Sequence, residues 1–251
     1  AVAATVITGA ATAENLTIGV SLETPSIDPH FYNYKNSNQI AHQIFDLLIR
    51  QDAQQQYMPG LALEWNNLDD KTWEIKLRKG VKWHDGSSFT ADDVLFNVER
   101  AKAGIKGSPT TPARNFLLGG KEWKVIDDHM LQVVTAAPHA TFAADLTGPV
   151  IVSRKHGEGA ETKDYNAGKA AIGTGPFKFV DYIQGDKITL KANPDYWDGK
   201  PEWDQVVIKA LPNGPARLAA LLSGTVDLIN DVPTEDIEAL RKNEKVSVTI
   251  A

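Results

Sequence analysis

Two hydrophobic periods, near 2 and near 3.6 residues, alternate along the 251-residue chain and predict a mixed α/β protein. Leu16 to Leu22 (LTIGVSL) reads as a short strand, and the polar, aromatic PSIDPHFYNYKNSN after it as a loop. Ile40, Ile44, Leu47 and Leu48 recur at helical spacing through SNQIAHQIFDLLIR, with Ser37 or Asn38 placed to cap the start. Trp73, Ile75 and Leu77 alternate with Glu74, Lys76 and Arg78, the period of a half-buried strand, before HDGSS turns the chain at Asp85-Gly86. Thr90 precedes ADDVLFNVERAKA, where Asp93 stands at the capping-box position and Val94, Val98 and Ala101 share a face, so a helix is expected. WKVI and MLQVVT read as strands joined by a turn at Asp127-Asp128, and GPVIVS as one more buried strand.

From Arg154 to Ala171 the chain is rich in Gly, Lys and Glu and reads as a surface connection. FKFVDYI and KITLKAN flank Gln184-Gly185-Asp186 as a hairpin, and QVVIKAL reads as a strand. GPARLAALLS has Pro215 near its start and Gly224 just past its end, the asymmetry of a helix. VDLI, a helix through EDIEALRK and the strand VSVTI complete an alternating tail. Hairpins early and alternation late predict an α/β fold with a mixed β-sheet and a smaller α+β subdomain.

Composition sharpens this picture. With 42% hydrophobic and 23% charged residues the chain can bury a core and is not a disordered type. A net charge of -6 without a basic cluster argues against nucleic acid or an anionic membrane surface as partner. The chain has no cysteine, which removes disulfides, thiolate metal sites and cysteine nucleophiles. Its first residues, AVAATVITGAATA, end in Ala11-Thr12-Ala13 and read as the tail of a signal peptide cleavable before Glu14, a cloning remnant or a native extension being the alternatives.

Catalytic signatures are missing from the sequence. His30, His42, His84, His129, His139 and His156 form no H-x-H or H-E-x-x-H pair and read as scattered surface residues, so neither metal nor cofactor is expected. Asp92-Asp93 falls in the opening turn of a helix and Asp127-Asp128 in a turn, where carboxylates are stabilising anyway. Gly173-Thr174-Gly175 is followed by a strand rather than a helix and reads as a tight turn, not a phosphate loop, and no G-x-S-x-G elbow occurs. The chain is therefore expected not to be an enzyme. Phe31, Tyr32, Asn33, Tyr34 and Lys35 concentrate aromatic and polar groups in one loop, which suits either a ligand cleft or packing of the loop on its own domain. Trp65, Trp73, Trp83, Trp123, Trp197 and Trp203 read mainly as packing residues.

The run PGLALEWNNLDDKTWEIKLRKGVKWHDGSSFTADDVLFNVER resembles the hallmark of the extracellular solute-binding proteins of family 5, the oligopeptide, dipeptide and nickel binders of ABC importers. GTGPFKFVDYIQGDKITLKANPDYWDGKP through ARLAALLSGTVDLI resembles the same family in the same order. The resemblance implies a type II periplasmic binding protein-like lobe with an inserted α+β subdomain. Residues 14–45 and 154–251 would form lobe I, discontinuous and incomplete, 46–153 the inserted subdomain, and 1–13 the signal-like segment. Family members continue past Ala251 through a hinge strand into a second lobe, which is absent from this sequence. Ligand contacts implied are Tyr32, Asn33, Tyr34 and Lys35 after Asp28-Pro29-His30, Asn230 and Asp231 after Ser223-Gly224-Thr225-Val226-Asp227, and Thr110, where peptide binders can carry a tyrosine. The implied partners are a small solute (oligopeptide, dipeptide or related compound) and an ABC permease in the inner membrane, with a monomer at full length. The implied place is the periplasm, or, in a Gram-positive cell, an extracellular, membrane-associated position. A periplasmic chaperone-like peptide binder and a hydrolase are the alternative readings.

Overall fold

The structure, a computed structural model, describes residues 2–6, 15–32, 35–108 and 112–250. The chain runs β1 (Val2–Val6), β2 (Asn15–Val20), α1 (Lys35–Ile44), β3 (Ile49–Gln51), β4 (Tyr57–Pro59), β5 (Ala62–Asn67) and β6 (Thr72–Leu77). Next come α2 (Ala91–Ala103), α3 (Pro112–Leu117), β7 (Lys121–Asp127), β8 (Met130–Thr135), α4 (Phe142–Asp145), α5 (Arg154–Gly157) and α6 (Thr162–Asn166). The last third holds β9 (Phe177–Ile183), β10 (Lys187–Ala192), β11 (Gln205–Ala210), α7 (Gly214–Leu222), β12 (Leu228–Ile229), α8 (Ile237–Arg241) and β13 (Val246–Ile250). Two compact units result, one of residues 1–25, 179–192 and 201–251, the other of 26–178 and 193–200. Their borders lie at other residues than those of the expected lobe and subdomain, a division that rests on family resemblance.

The first unit is built on a mixed seven-stranded sheet in the order β13-β1-β12-β2-β11-β10-β9. β2 is parallel to both β11 and β12, while β10 is antiparallel to β11. Leu221, Val226, Ile229, Val232, Leu240 and Val246 close a core beneath one end of this sheet. Asn213 caps α7 by accepting from the Ala216 N–H at 2.9 Å, with Pro215 in the first turn, as the sequence pattern implied.

The second unit carries the antiparallel sheet β5-β6-β8-β7 and the small pair β3-β4. Its core gathers Leu48, Leu61, Ile75, Leu77, Trp83, Phe89, Val94, Leu131, Val133, Phe142 and Ile151, with Trp65, Trp73, Trp123 and Trp197 packed on it. The α2 start works as expected: the Asp93 carboxylate accepts from the Thr90 N–H at 3.0 Å, and also from the Arg154 N–H at 3.0 Å and Trp83 Nε1 at 3.3 Å.

Three expectations need correction. First, α1 begins at Lys35 rather than at Ser37 or Asn38, and it stops at Ile44 instead of running through LLIR. The Ile44 carbonyl, which a longer helix would use, accepts instead from the Gly175 N–H at 3.0 Å. Gly173 and Gly175 lie so close that a Cβ would meet the Ile44 carbonyl oxygen at 1.7 Å and 2.8 Å, so glycine is there for backbone approach. Second, GPVIVS forms no strand beyond a single bridge between Val150 and Leu47. Val150, Ile151 and Val152 are buried as expected, but the Asn97 side chain replaces a ladder, accepting from the Val152 N–H at 2.9 Å and donating to its carbonyl at 2.8 Å. Third, the connection from Arg154 to Ala171 contains α5 and α6, and Tyr165 within it is 0% exposed.

Candidate functional site

The aromatic loop is held from behind by a buried carboxylate. Asp28, 2% exposed, accepts from Arg100 Nη2 at 2.7 Å, from the Thr162 hydroxyl at 3.0 Å and from the His30 N–H at 3.1 Å. Asn166 accepts from the Ser26 hydroxyl and the Ile27 N–H, and Ser108 donates to the Phe31 carbonyl at 2.6 Å. His30 Nε2 bonds the Val150 carbonyl at 2.9 Å. Burial, then the adjacent Arg100 guanidinium, lowers the His30 pKa to about 4, so the ring is neutral and donates that bond.

From this base Phe31 and Tyr32 project as an edge-to-face pair with ring centroids 4.7 Å apart. Tyr32 is half-buried and borders a small cavity of about 20 Å³ with Pro29, Asn38, His42 and Phe116. Lys35 is the first residue of α1. Asn33, Tyr34 and Thr110 lie outside the described residues.

Asn230 and Asp231 belong to the other unit, in the turn after β12. The Asn230 side-chain oxygen accepts from the Ser21 N–H at 2.8 Å, so one of its polar atoms is engaged in holding the end of β2. The exposed Asp231 carboxylate accepts from the Ser21 hydroxyl, and its backbone is left-handed at φ 48°. Arg217, 4% exposed, secures that turn by donating to the carbonyls of Asn230 at 3.0 Å, Asp231 at 2.7 Å and Leu211 at 2.6 Å. Asp227, the acid that ends the S-G-x-x-D motif, accepts from the Thr17 N–H at 2.8 Å and ties β2 to the strand that follows it.

A second polar centre was not foreseen. Asp46, 5% exposed, accepts from the Thr174 hydroxyl and Trp197 Nε1, both at 2.8 Å, and from the Tyr196 hydroxyl at 3.0 Å. Burial raises its pKa against those three bonds. Arg78 and Arg50 stand over the Trp197 ring at 4.1 Å and 4.9 Å, and Arg50 pairs with Asp198 at 2.8 Å. An open pocket of about 480 Å³ borders Asp46, His42, Arg50, Tyr196 and Asp198. Burial makes two histidines inconsistent with the surface reading, His30 at 2% exposure and the half-buried His84, which shares bonds with Gly173 and Gly175. One sequence signal could have found Arg100: Asp93, Asn97 and Arg100 recur at helical spacing beside the apolar face of α2, and all three are buried.

The hydrolase alternative meets a specific geometry at Asp85. Ser87 Oγ donates to Asp85 at 2.5 Å and His156 Nε2 bonds the same carboxylate at 2.9 Å, so the carboxylate sits between hydroxyl and imidazole and the ring does not reach the serine proton. Among the described residues no group of three His, Cys, Asp or Glu side chains could hold a metal ion. No helix among them is long and apolar enough to cross a membrane.

Residues 56–251 match the bacterial extracellular solute-binding proteins, family 5 Middle. The chain is 30% identical to the dipeptide-binding protein of Escherichia coli, over 76% of this chain and 39% of that protein. To the periplasmic oligopeptide-binding protein of Salmonella typhimurium it is 26% identical over 95% of this chain and 49% of the relative. Among solved structures, the periplasmic binding protein DppA of Helicobacter pylori in complex with the peptide STSA superposes with a TM-score of 0.81 at 27% identity, covering 93% of this chain and 50% of that one. The oligopeptide-binding protein AppA of Bacillus subtilis, in complex with a nonapeptide, gives 0.81 at 26% identity, covering 92% and 47%. The chain thus spans about half or less of the length of the curated relatives it matches.

Proposed function

Because the chain belongs to the bacterial extracellular solute-binding proteins of family 5, we propose that it is the solute-capturing part of an ABC importer, acting by binding and not by catalysis. A peptide or similar small solute is held between two lobes and handed to a membrane permease, in the periplasm or on the outer face of a Gram-positive cell. The single observation that carries this reading is the family match over residues 56–251. Peptide as the solute class is supported by relatives named for dipeptides and oligopeptides and by two structural neighbours that hold peptides. Residues 14–45 and 154–251 are assigned to lobe I and 46–153 to the inserted subdomain. Tyr32, Asn33, Tyr34, Lys35, Thr110, Asn230 and Asp231 are assigned as ligand contacts. The half-buried Tyr32 suits such a task, since a tyrosine gives contact area at low entropy and a hydroxyl for a peptide backbone.

The test is mass spectrometry of the solute that copurifies with a version extended to the length of the relatives, followed by calorimetry with di- to nonapeptides. Peptide is expected, with saturable 1:1 binding. Exclusive recovery of a metal chelate or haem would overturn the peptide assignment while leaving the receptor reading intact.

A further inference from the structure

A cavity of about 610 Å³ opens between the end of α2 and the segment that runs from α5 into α6, all within the second unit. None of the described residues assigned to the solute lines it. Phe96, Ala103, Ile105 and Ala160 give it apolar walls, and Arg100, 7% exposed, forms part of its lining.

The fold uses only one end of the Arg100 guanidinium. Its Nη2 donates to Asp28 Oδ2 at 2.7 Å, and that oxygen also accepts from the Thr162 hydroxyl at 3.0 Å, while Oδ1 takes the His30 N–H at 3.1 Å. Nη1 is buried and has no hydrogen-bond partner. The Tyr165 hydroxyl is a second buried group without one, and it lies 2.9 Å from where a Cβ on the lining residue Gly157 would stand. Buried donors in folded proteins normally find acceptors, and stranding one is costly. A guanidinium is also a fork whose parallel N–H groups match a carboxylate.

Charge and size narrow what could supply the acceptor. The two acids of the lining already have cations, Glu161 pairing with Lys163 at 2.6 Å and Glu99 with Arg154 at 2.8 Å. Lys106, also on the lining, and the free end of Arg100 leave a surplus of positive charge. The volume is far more than one water needs and falls in the range of small-molecule sites.

We infer that this cavity is a second small-molecule site, for a carboxylate carried on an apolar body. Arg100 Nη1 and Lys106 hold the acid, and Phe96, Ala103 and Ile105 cover the body. The inference does not rest on the solute reading.

The test titrates the isotope-labelled 251-residue chain with phenylacetate and with its neutral counterpart phenylethanol, followed by amide chemical shifts. Phenylacetate is expected to saturate in roughly the millimolar range, as suits a ligand of its size, with shifts concentrated at Gly104–Gly107 and Gly157–Lys163. Phenylethanol is expected to bind at least tenfold more weakly. Lys106→Gln should weaken phenylacetate at least threefold, and Ala103→Trp, which fills the apolar wall from an exposed position, should abolish binding with the fold retained. An absence of saturable shifts at those amides would mean that the cavity holds only water and would overturn the proposal. Equal affinity for phenylethanol, or undiminished binding in both variants, would overturn it as well.

Discussion

At the scale of single residues, the strongest commitments in this protein are buried charges with specific partners. Asp28 and Arg100 form a 2.7 Å ion pair with side chains 0% and 7% exposed, and the guanidinium also lies 4.8 Å from the Tyr165 ring. Breaking such a pair leaves an uncompensated buried charge, so Arg100→Met is expected to destabilise the protein by roughly 3–5 kcal/mol in urea unfolding. Asp28→Asn/Arg100→Met together is expected to be milder than Arg100→Met alone, because no charge is stranded. His30 adds a pH dependence. Its folded pKa, lowered to about 4, lies below the ordinary histidine value of 6.5, so the folded state favours the neutral ring. Its contribution is fully present above pH 6.5 and is lost as pH falls toward 4, by roughly 3 kcal/mol at most. His84, also lowered to about 4, acts in the same direction. Urea midpoints measured from pH 7 to pH 5 should therefore fall, and His30→Gln should reduce that slope without abolishing it.

At the scale of elements, side chains take over work that backbone ladders do elsewhere. The segment Val150–Val152 was legible as buried because its three residues are β-branched and apolar, yet its conformation was not, since its partners are distant: Asn97 from α2 bonds both backbone groups of Val152 across 55 residues, His30 the Val150 carbonyl, and the Asp46 carbonyl the Ile151 N–H. Asn97→Ala is expected to leave a buried N–H and carbonyl unpaired at a cost of roughly 2–4 kcal/mol, and Asn97→Asp to keep the acceptor but set a carboxylate against two carbonyls. Chemical denaturation of the two variants beside Val98→Ala, which removes only apolar volume from the same helix, separates the polar effect from packing. The end of α1 follows the same logic. Its apolar spacing continues through Leu47 and Leu48, both consistent with a longer helix, but the Gly175 N–H takes up the Ile44 carbonyl, and Gly173 packs its backbone against the same group. Gly175→Ala should accordingly lower the melting temperature by several degrees, more than Gly199→Ala in the same unit, where a Cβ meets nothing but the backbone has φ 102°.

At the scale of the whole molecule, the chain covers 39% and 49% of the length of two curated relatives, and that proportion bears on how tightly it can hold a solute. A cleft encloses a ligand from both sides, so the 251-residue chain is expected to bind peptide at least tenfold more weakly than a version extended to the relatives' length, as measured by calorimetry. Equal affinities would place the whole site in this chain.

What the sequence determined by itself is what contiguous residues encode. The cap and face of α2, the hairpin β9-β10, the Pro215 start of α7 and the family blocks from residue 56 onward were all readable, because periodicity and capping act over a few neighbouring positions. The loop after Asp28-Pro29-His30 was identified as a ligand candidate, but not the means by which it is anchored. Only tertiary structure decided that Asp28 meets Arg100 from 72 residues away, that Asp46 collects donors from Thr174, Tyr196 and Trp197, and that residues 2–6 stand between β12 and β13. Each of these depends on which buried polar group or open strand edge remains to be satisfied once the apolar faces have packed, and a pattern along the chain holds no record of that choice.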